Sequence, residues 1–166
     1  KLSQAIEAVR SSKQFDLPAD KKALSKIDGL ILQNKQLVKV RLLFDGGAYQ
    51  EALMQINKID KSSLTSGVII EYYYRLARNY QELERYANAK SNFLMVVFKS
   101  PSQDHTYFAP YSCLQLAKIF FLEKNTLKAN QYLNSGLIYK NYQHQNSIKV
   151  QLNKMSLLVN EQNVTK

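Results

Sequence analysis

The side chains that most often perform catalysis are scarce in this sequence. The chain carries two histidines, His105 and His144, and one cysteine, Cys113. No serine or cysteine stands at a recognisable spacing from a histidine that could activate it as a nucleophile. Two histidines and one cysteine are also too few for a structural zinc site. We therefore expect a protein that is not an enzyme, with no metal and no other cofactor.

Length and composition favour one helical domain. The chain has 166 residues, of which 45% are hydrophobic and 22% are charged, as in ordinary globular domains. Only five glycines and three prolines are present, which argues against β-sandwiches, barrels and glycine-rich phosphate loops. No apolar run approaches the ~18 residues that a membrane-spanning helix needs. A single cysteine excludes an internal disulfide framework.

Three segments of the chain share one plan. Each has an apolar helical stripe that ends in an aromatic residue, then a short polar turn, then an alanine nine residues after the aromatic residue. In the clearest copy, the stripe is Tyr73, Leu76, Ala77 and Tyr80, and the alanine is Ala89. The spacing of the stripe is i, i+3, i+4 and i+7, which places its members on one face of a helix.

The other two copies are less regular. The third contains Cys113, Leu116, Ala117, Phe120 and Ala129. The first contains Leu37, Val40, either Leu43 or Phe44, and Ala52. Adjacent glycines at 46 and 47 predict a helix boundary in the first copy, because glycine adopts positive φ at helix C-termini.

These segments resemble the tetratricopeptide repeat, whose period is 34 residues. With Ile70 as the first position, seven of the eight positions of its pattern agree in the clearest copy, and Val96 departs. The resemblance implies an all-α fold, a right-handed α-solenoid of about three helical hairpins with extra helices at both ends. The predicted units of this single domain are a partial repeat and linker helix at 1–30, repeats at 31–60, 68–101 and 107–141, and a capping helix at 145–161. That last helix should bury Ile148, Leu152, Met155 and Val159 and present a polar outer face.

A narrower resemblance covers most of the chain. The stretches 19–24, 40–47 and 144–148 are similar to the C-terminal part of uncharacterised tetratricopeptide proteins from Bacteroidetes bacteria. This implies a segment of a longer bacterial protein that is exported or periplasmic. The sequence leaves the cellular compartment, the preceding region and the oligomeric state open.

The resemblance also implies a concave groove lined by the first helix of each repeat. A basic residue recurs at the ninth position of all three copies, and aromatic residues stand near it. The predicted partner-binding residues are Arg41, Tyr74, Arg78, Tyr111, Lys118 and Phe121. Arginine can hold a carboxylate through two parallel hydrogen bonds. We therefore expect a protein or peptide partner that carries acidic groups.

Other interpretations of the same sequence stay open. The basic residues could instead pair with neighbouring acids such as Glu71, Glu82 or Asp45. The segment could be a structural spacer or self-association domain of a longer envelope protein. Nucleic-acid binding is disfavoured, because the net charge of +10 is spread along the chain without a block of basic residues.

Overall fold

Helices that alternate in direction make up the fold. The computed structural model describes residues 35–101 and 105–164, and the predicted partial repeat at 1–30 lies outside these ranges. Within them no strand occurs, and a short 3₁₀ turn spans Lys61–Ser63. The helices are α1 Lys35–Asp45, α2 Tyr49–Ile56, α3 Ser66–Glu82, α4 Tyr86–Lys99, α5 Phe108–Leu122, α6 Thr126–Ile138 and α7 Gln145–Val164.

The same turn closes all three helical hairpins. A backbone N–H reaches back five residues to the carbonyl of Leu43, Tyr80 or Phe120, at 2.9, 2.8 and 2.8 Å. Such a bond requires one residue of positive φ, which is supplied by Gly47 (78°), Glu84 (56°) and Lys124 (59°). The equivalence of these turns settles the register of the first copy. Leu43, not Phe44, corresponds to Tyr80 and Phe120.

Small residues let the second helices approach the first ones closely. Ala52, Ala89 and Ala129 are all completely buried. A methyl group added at Gly136 would lie 3.0 Å from Leu152 and 3.1 Å from the Cβ atom of Cys113, so α6 meets both α5 and α7 there. Large side chains fill the remaining space, with Phe93 fully buried in α4. The all-α tetratricopeptide-like repeat fold predicted from the sequence is confirmed.

The last helix differs in part from its prediction. Its inner stripe is buried as expected, at Ile148, Leu152, Met155 and Val159. Its outer face is not uniformly polar, because Val150, Leu157 and Leu158 are each more than half exposed. No helix among the described residues is long and apolar enough to span a bilayer.

Candidate functional site

A pocket opens on the face that the first helices of the hairpins form. Helix α1 contacts α3, α3 contacts α5, and α5 contacts α7, so these four helices lie side by side. The pocket has a volume of about 380 Å³, which lies within the ordinary range for ligand pockets. We call it the groove pocket. Its lining residues are Phe44, Asp45, Tyr74, Arg75, Arg78, Tyr107, Tyr111, His144, Ser147, Ile148 and Gln151.

Arg78 is the central charged group of the groove pocket. Its guanidinium lies 4.7 Å from the ring centre of Phe44 and 5.3 Å from that of Tyr111. It donates hydrogen bonds of 3.4 Å to the Tyr74 hydroxyl and to the Glu82 carboxylate, which are both long. Its Nε atom is buried without a hydrogen-bond partner. The rings hold the guanidinium in place while its donors remain poorly satisfied, so the group is suited to a further acceptor.

Arg75 is satisfied within its own helix. Its Nε and Nη2 atoms both donate to one carboxylate oxygen of Glu71, at 3.1 and 3.0 Å. Its guanidinium also lies 5.9 Å from the ring centre of Phe108. The pairing of a basic residue with Glu71 that the sequence left open is therefore made by Arg75. Arg78 makes the equivalent pairing with Glu82, over a longer distance.

The structure corrects the expectation for Tyr74. This residue was predicted to offer aromatic contact area to a partner, but its side chain is only 2% exposed. Its ring packs against Tyr107, Phe108 and Tyr111, with centroid distances of 5.6, 4.8 and 6.1 Å. Burial raises the pKa of its hydroxyl well above the usual range. Tyr74 therefore forms the floor of the groove pocket, and Tyr111 is the partly exposed ring.

The remaining predicted residues lie apart from the pocket lining. Lys118 is half-buried on α5, and burial together with the positive charge of Arg78 lowers its pKa. Phe121 packs against the core with part of its ring exposed. Arg41 is half-buried on α1. Within the described ranges neither Arg41 nor Lys118 has an ion pair.

Sequence reasoning missed several pocket residues. Phe44 follows Leu43 directly, so the register that the hairpin turn fixes would have placed it in the groove. Tyr107 and His144 meet edge to face, with ring centroids 5.5 Å apart, at the junction of two connections. Ile148 and Gln151 come from α7, which lies outside the three repeats, so no repeat position indicated their role.

The residues considered for catalysis do not form a constellation. Cys113 is completely buried, and burial raises the pKa of its thiol to about 12. The Nδ1 atom of His105 lies 3.0 Å from the backbone carbonyl oxygen of Asn141, a structural contact between two connections. Within the described part of the chain, no group of three His, Cys, Asp or Glu side chains could hold a metal ion.

The helical hairpins and their repeated turn form a tetratricopeptide-like helical repeat fold. Residues 27–94 match the family model described as the SusR N-terminal TPR domain. This match confirms the tetratricopeptide resemblance and is consistent with a Bacteroidetes origin. The family suggests a protein-protein interaction module, and such domains are generally non-catalytic. No curated protein and no solved structure matches the chain.

Proposed function

We propose that the groove pocket binds a peptide or partner segment that carries an acidic side chain. The observation behind this proposal is the state of Arg78, which is clamped between two rings yet has only long hydrogen bonds and an unpartnered Nε atom. A carboxylate that approaches the edge of the guanidinium would replace the long contact to Glu82. Lys118 adds a second positive charge nearby, since its pKa responds to Arg78.

The surroundings of Arg78 support binding rather than catalysis. Aromatic rings supply rigid contact area at low entropic cost, as at the centres of many protein interfaces. Asp45 lies on the pocket wall and would repel an acid placed against it. A partner should therefore direct its carboxylate toward Arg78 and keep apolar or cationic groups near Asp45. Such a polarity would fix the direction of the bound segment.

Selection from a random peptide library tests this proposal. The chain should enrich peptides with an acidic residue beside an apolar one, and the double variant Arg78→Glu with Lys118→Glu should lose them by at least about tenfold in affinity. A matched control is Arg85→Glu with Lys124→Glu, which changes charge equally on exposed residues outside the pocket. Equal binding by all three proteins would place the site elsewhere. Selection of no peptide by the parent chain would refute the proposal.

A second candidate function is self-association within a longer protein. The observation that favours it is the outer face of α7, where Val150, Leu157 and Leu158 are 54%, 64% and 51% exposed. Light scattering over a range of concentrations separates the two functions. A mass that rises with concentration in the parent and not in Leu157→Gln with Leu158→Gln would support self-association.

A further inference from the structure

The two edges of the helical array differ in the chain segments that form them and in their charge. We define the loop edge by the connections between successive hairpins, at 57–65, 99–101 with 105–107, and 139–144. Two of these connections touch, since the Gln143 N–H donates to the His105 carbonyl at 3.1 Å. Ser66 and Gly67, which follow the first connection, line a pocket together with Lys99 and His105. The three connections therefore share one edge, and the hairpin turns lie at the opposite turn edge.

Basic residues dominate the loop edge among the described residues. The exposed charged side chains there are Lys58, Asp60, Lys61, Lys99 and Lys140. The Asp60 carboxylate already accepts hydrogen bonds from the Ser62 N–H and hydroxyl, at 3.0 and 2.8 Å. None of the four lysines has an ion pair within the described ranges.

The turn edge carries no such excess of positive charge among its described residues. Its hairpin turns carry Asp45, Glu82, Glu84, Arg85, Glu123 and Lys124. The turns themselves hold four acids and two bases, and Lys90 and Lys128 approach the last turn from α4 and α6, with the Lys90 ammonium group 2.8 Å from a Glu123 carboxylate oxygen. Among the described residues of the connections and turns, the excess of positive charge therefore lies at the loop edge.

Two large apolar side chains project from the loop edge beside its lysines. Phe98 is 84% exposed and Ile138 is 76% exposed, among the highest values for large apolar residues in the described ranges. They lie 40 residues apart, the same interval that separates the buried Ala89 and Ala129, so they occupy equivalent positions in successive hairpins. Lys99 and Lys140 follow them closely. An exposed apolar side chain with a neighbouring lysine suits the boundary between lipid headgroups and acyl chains.

We infer that the loop edge docks on an anionic membrane surface, with Phe98 and Ile138 inserted among the headgroups and the lysines above them. A fluid headgroup layer accepts side chains that project singly, whereas a protein partner must supply a shaped pocket for each. Negatively charged lipids attract exposed lysines near the surface, and each such lysine strengthens the attachment. The inference is independent of the groove pocket and of its proposed peptide ligand.

Co-sedimentation of the 166-residue chain with vesicles tests the inference. The vesicles contain phosphatidylcholine alone or phosphatidylcholine with one quarter phosphatidylglycerol. We expect binding to the anionic vesicles only, and a weaker association as salt is raised. Lys99→Glu with Lys140→Glu should lower the partition coefficient by at least about tenfold, and Phe98→Gln with Ile138→Gln by about tenfold.

A charge-matched control separates this edge from the overall basic charge. Arg85→Glu with Lys124→Glu makes the same change in net charge at the turn edge and should retain binding. Equal loss in this control would overturn the inference, because attraction would then depend on net charge alone. Failure of the parent chain to bind anionic vesicles would also overturn it, as would equal binding by the Phe98→Gln with Ile138→Gln variant. Tighter binding to poly-glutamate or to DNA than to vesicles would overturn the inference as well. It would identify an acidic macromolecule, and not a membrane, as the partner of the loop edge.

Discussion

Individual residues owe their behaviour to burial more than to their chemical type. Cys113 illustrates this, because a thiol that is reactive in water is here enclosed by the helix core. Gly136 illustrates the reverse case, in which the absence of a side chain allows three helices to meet. Cys113 belongs to the apolar stripe of the third copy, and Gly136 lies in the second helix of the same hairpin.

Cys113 should resist thiol reagents in the folded protein. Its thiol pKa of about 12 leaves far less thiolate at pH 8 than an unperturbed cysteine has. We expect the rate of reaction with a disulfide reagent to be about a thousandfold below that of a free thiol. The rate should recover in denaturant, which is the internal control. Rapid modification of the folded chain at pH 8 would contradict this prediction.

Gly136→Ala should destabilise the fold although alanine is the better helix former. The new methyl group would lie 3.0 Å from the Leu152 side chain, which is fully buried and has little room to move. Overpacking of this kind outweighs the gain in helix propensity, so we expect a net loss of about 1 kcal/mol in the free energy of unfolding. Gly67→Ala is the matched control, since nothing lies within 4 Å of its new methyl group. That variant should be neutral or stabilised in a urea titration, and equal destabilisation of the two would refute the argument.

Each helix stabilises the fold through the stripe of apolar side chains that it buries. Helix α4 shows this clearly, because Phe93 and Phe98 lie five residues apart and have opposite environments. Phe93 is fully buried between hairpins, while Phe98 is exposed at the end of the helix. The same residue type therefore has two roles that only its place on the helix distinguishes.

Phe93→Ala should lower the free energy of unfolding by about 3–5 kcal/mol, because it leaves a cavity in the core. Phe98→Ala should change it by less than about 0.5 kcal/mol, since little apolar surface is buried there. Thermal or urea unfolding followed by circular dichroism measures both. Comparable losses in the two variants would mean that Phe98 is also buried in solution, by self-association for example.

Across the described part of the molecule, stability is divided between two apolar clusters. The larger cluster joins α3 to α7 and includes Phe93, Leu133 and Leu152. The smaller one joins α1, α2 and α3 and includes Leu37 and Ile56. Repeat proteins are stabilised by contacts between neighbours, so hairpins with less buried surface open more readily.

Hydrogen exchange should therefore be uneven along the chain. We expect backbone amides in α1 and α2 to exchange at least about tenfold faster than those in α5, which is buried along most of its length. Mass spectrometry of peptides from the exchanged protein measures this directly. Uniform protection across all described helices would indicate one cooperative unit instead.

The sequence predicted much of the fold because the repeat is local. Helical spacing, small residues and the Gly46-Gly47 pair each act within one hairpin, so the positions of hairpins follow from the chain itself. The candidate site was harder to predict. The repeat register predicted Arg78 and Tyr111 as groove residues. The structure brings them together, with the guanidinium 5.3 Å from the ring centre. The burial of Tyr74 did not follow from its register, since the rings that cover it come from α5 and from the connection before α5.

By itself, the sequence determined the all-α repeat, the hairpin turns, the apolar stripes and the buried environment of Cys113. The tertiary structure alone decided which arginine pairs with which acid, that Phe44 covers Arg78, and that α7 closes one side of the groove pocket. The physical reason is how far apart in the sequence the interacting residues lie. Helix periodicity and turn geometry depend on residues a few positions apart, whereas pocket lining, exposure and charge distribution depend on residues that only packing brings into contact.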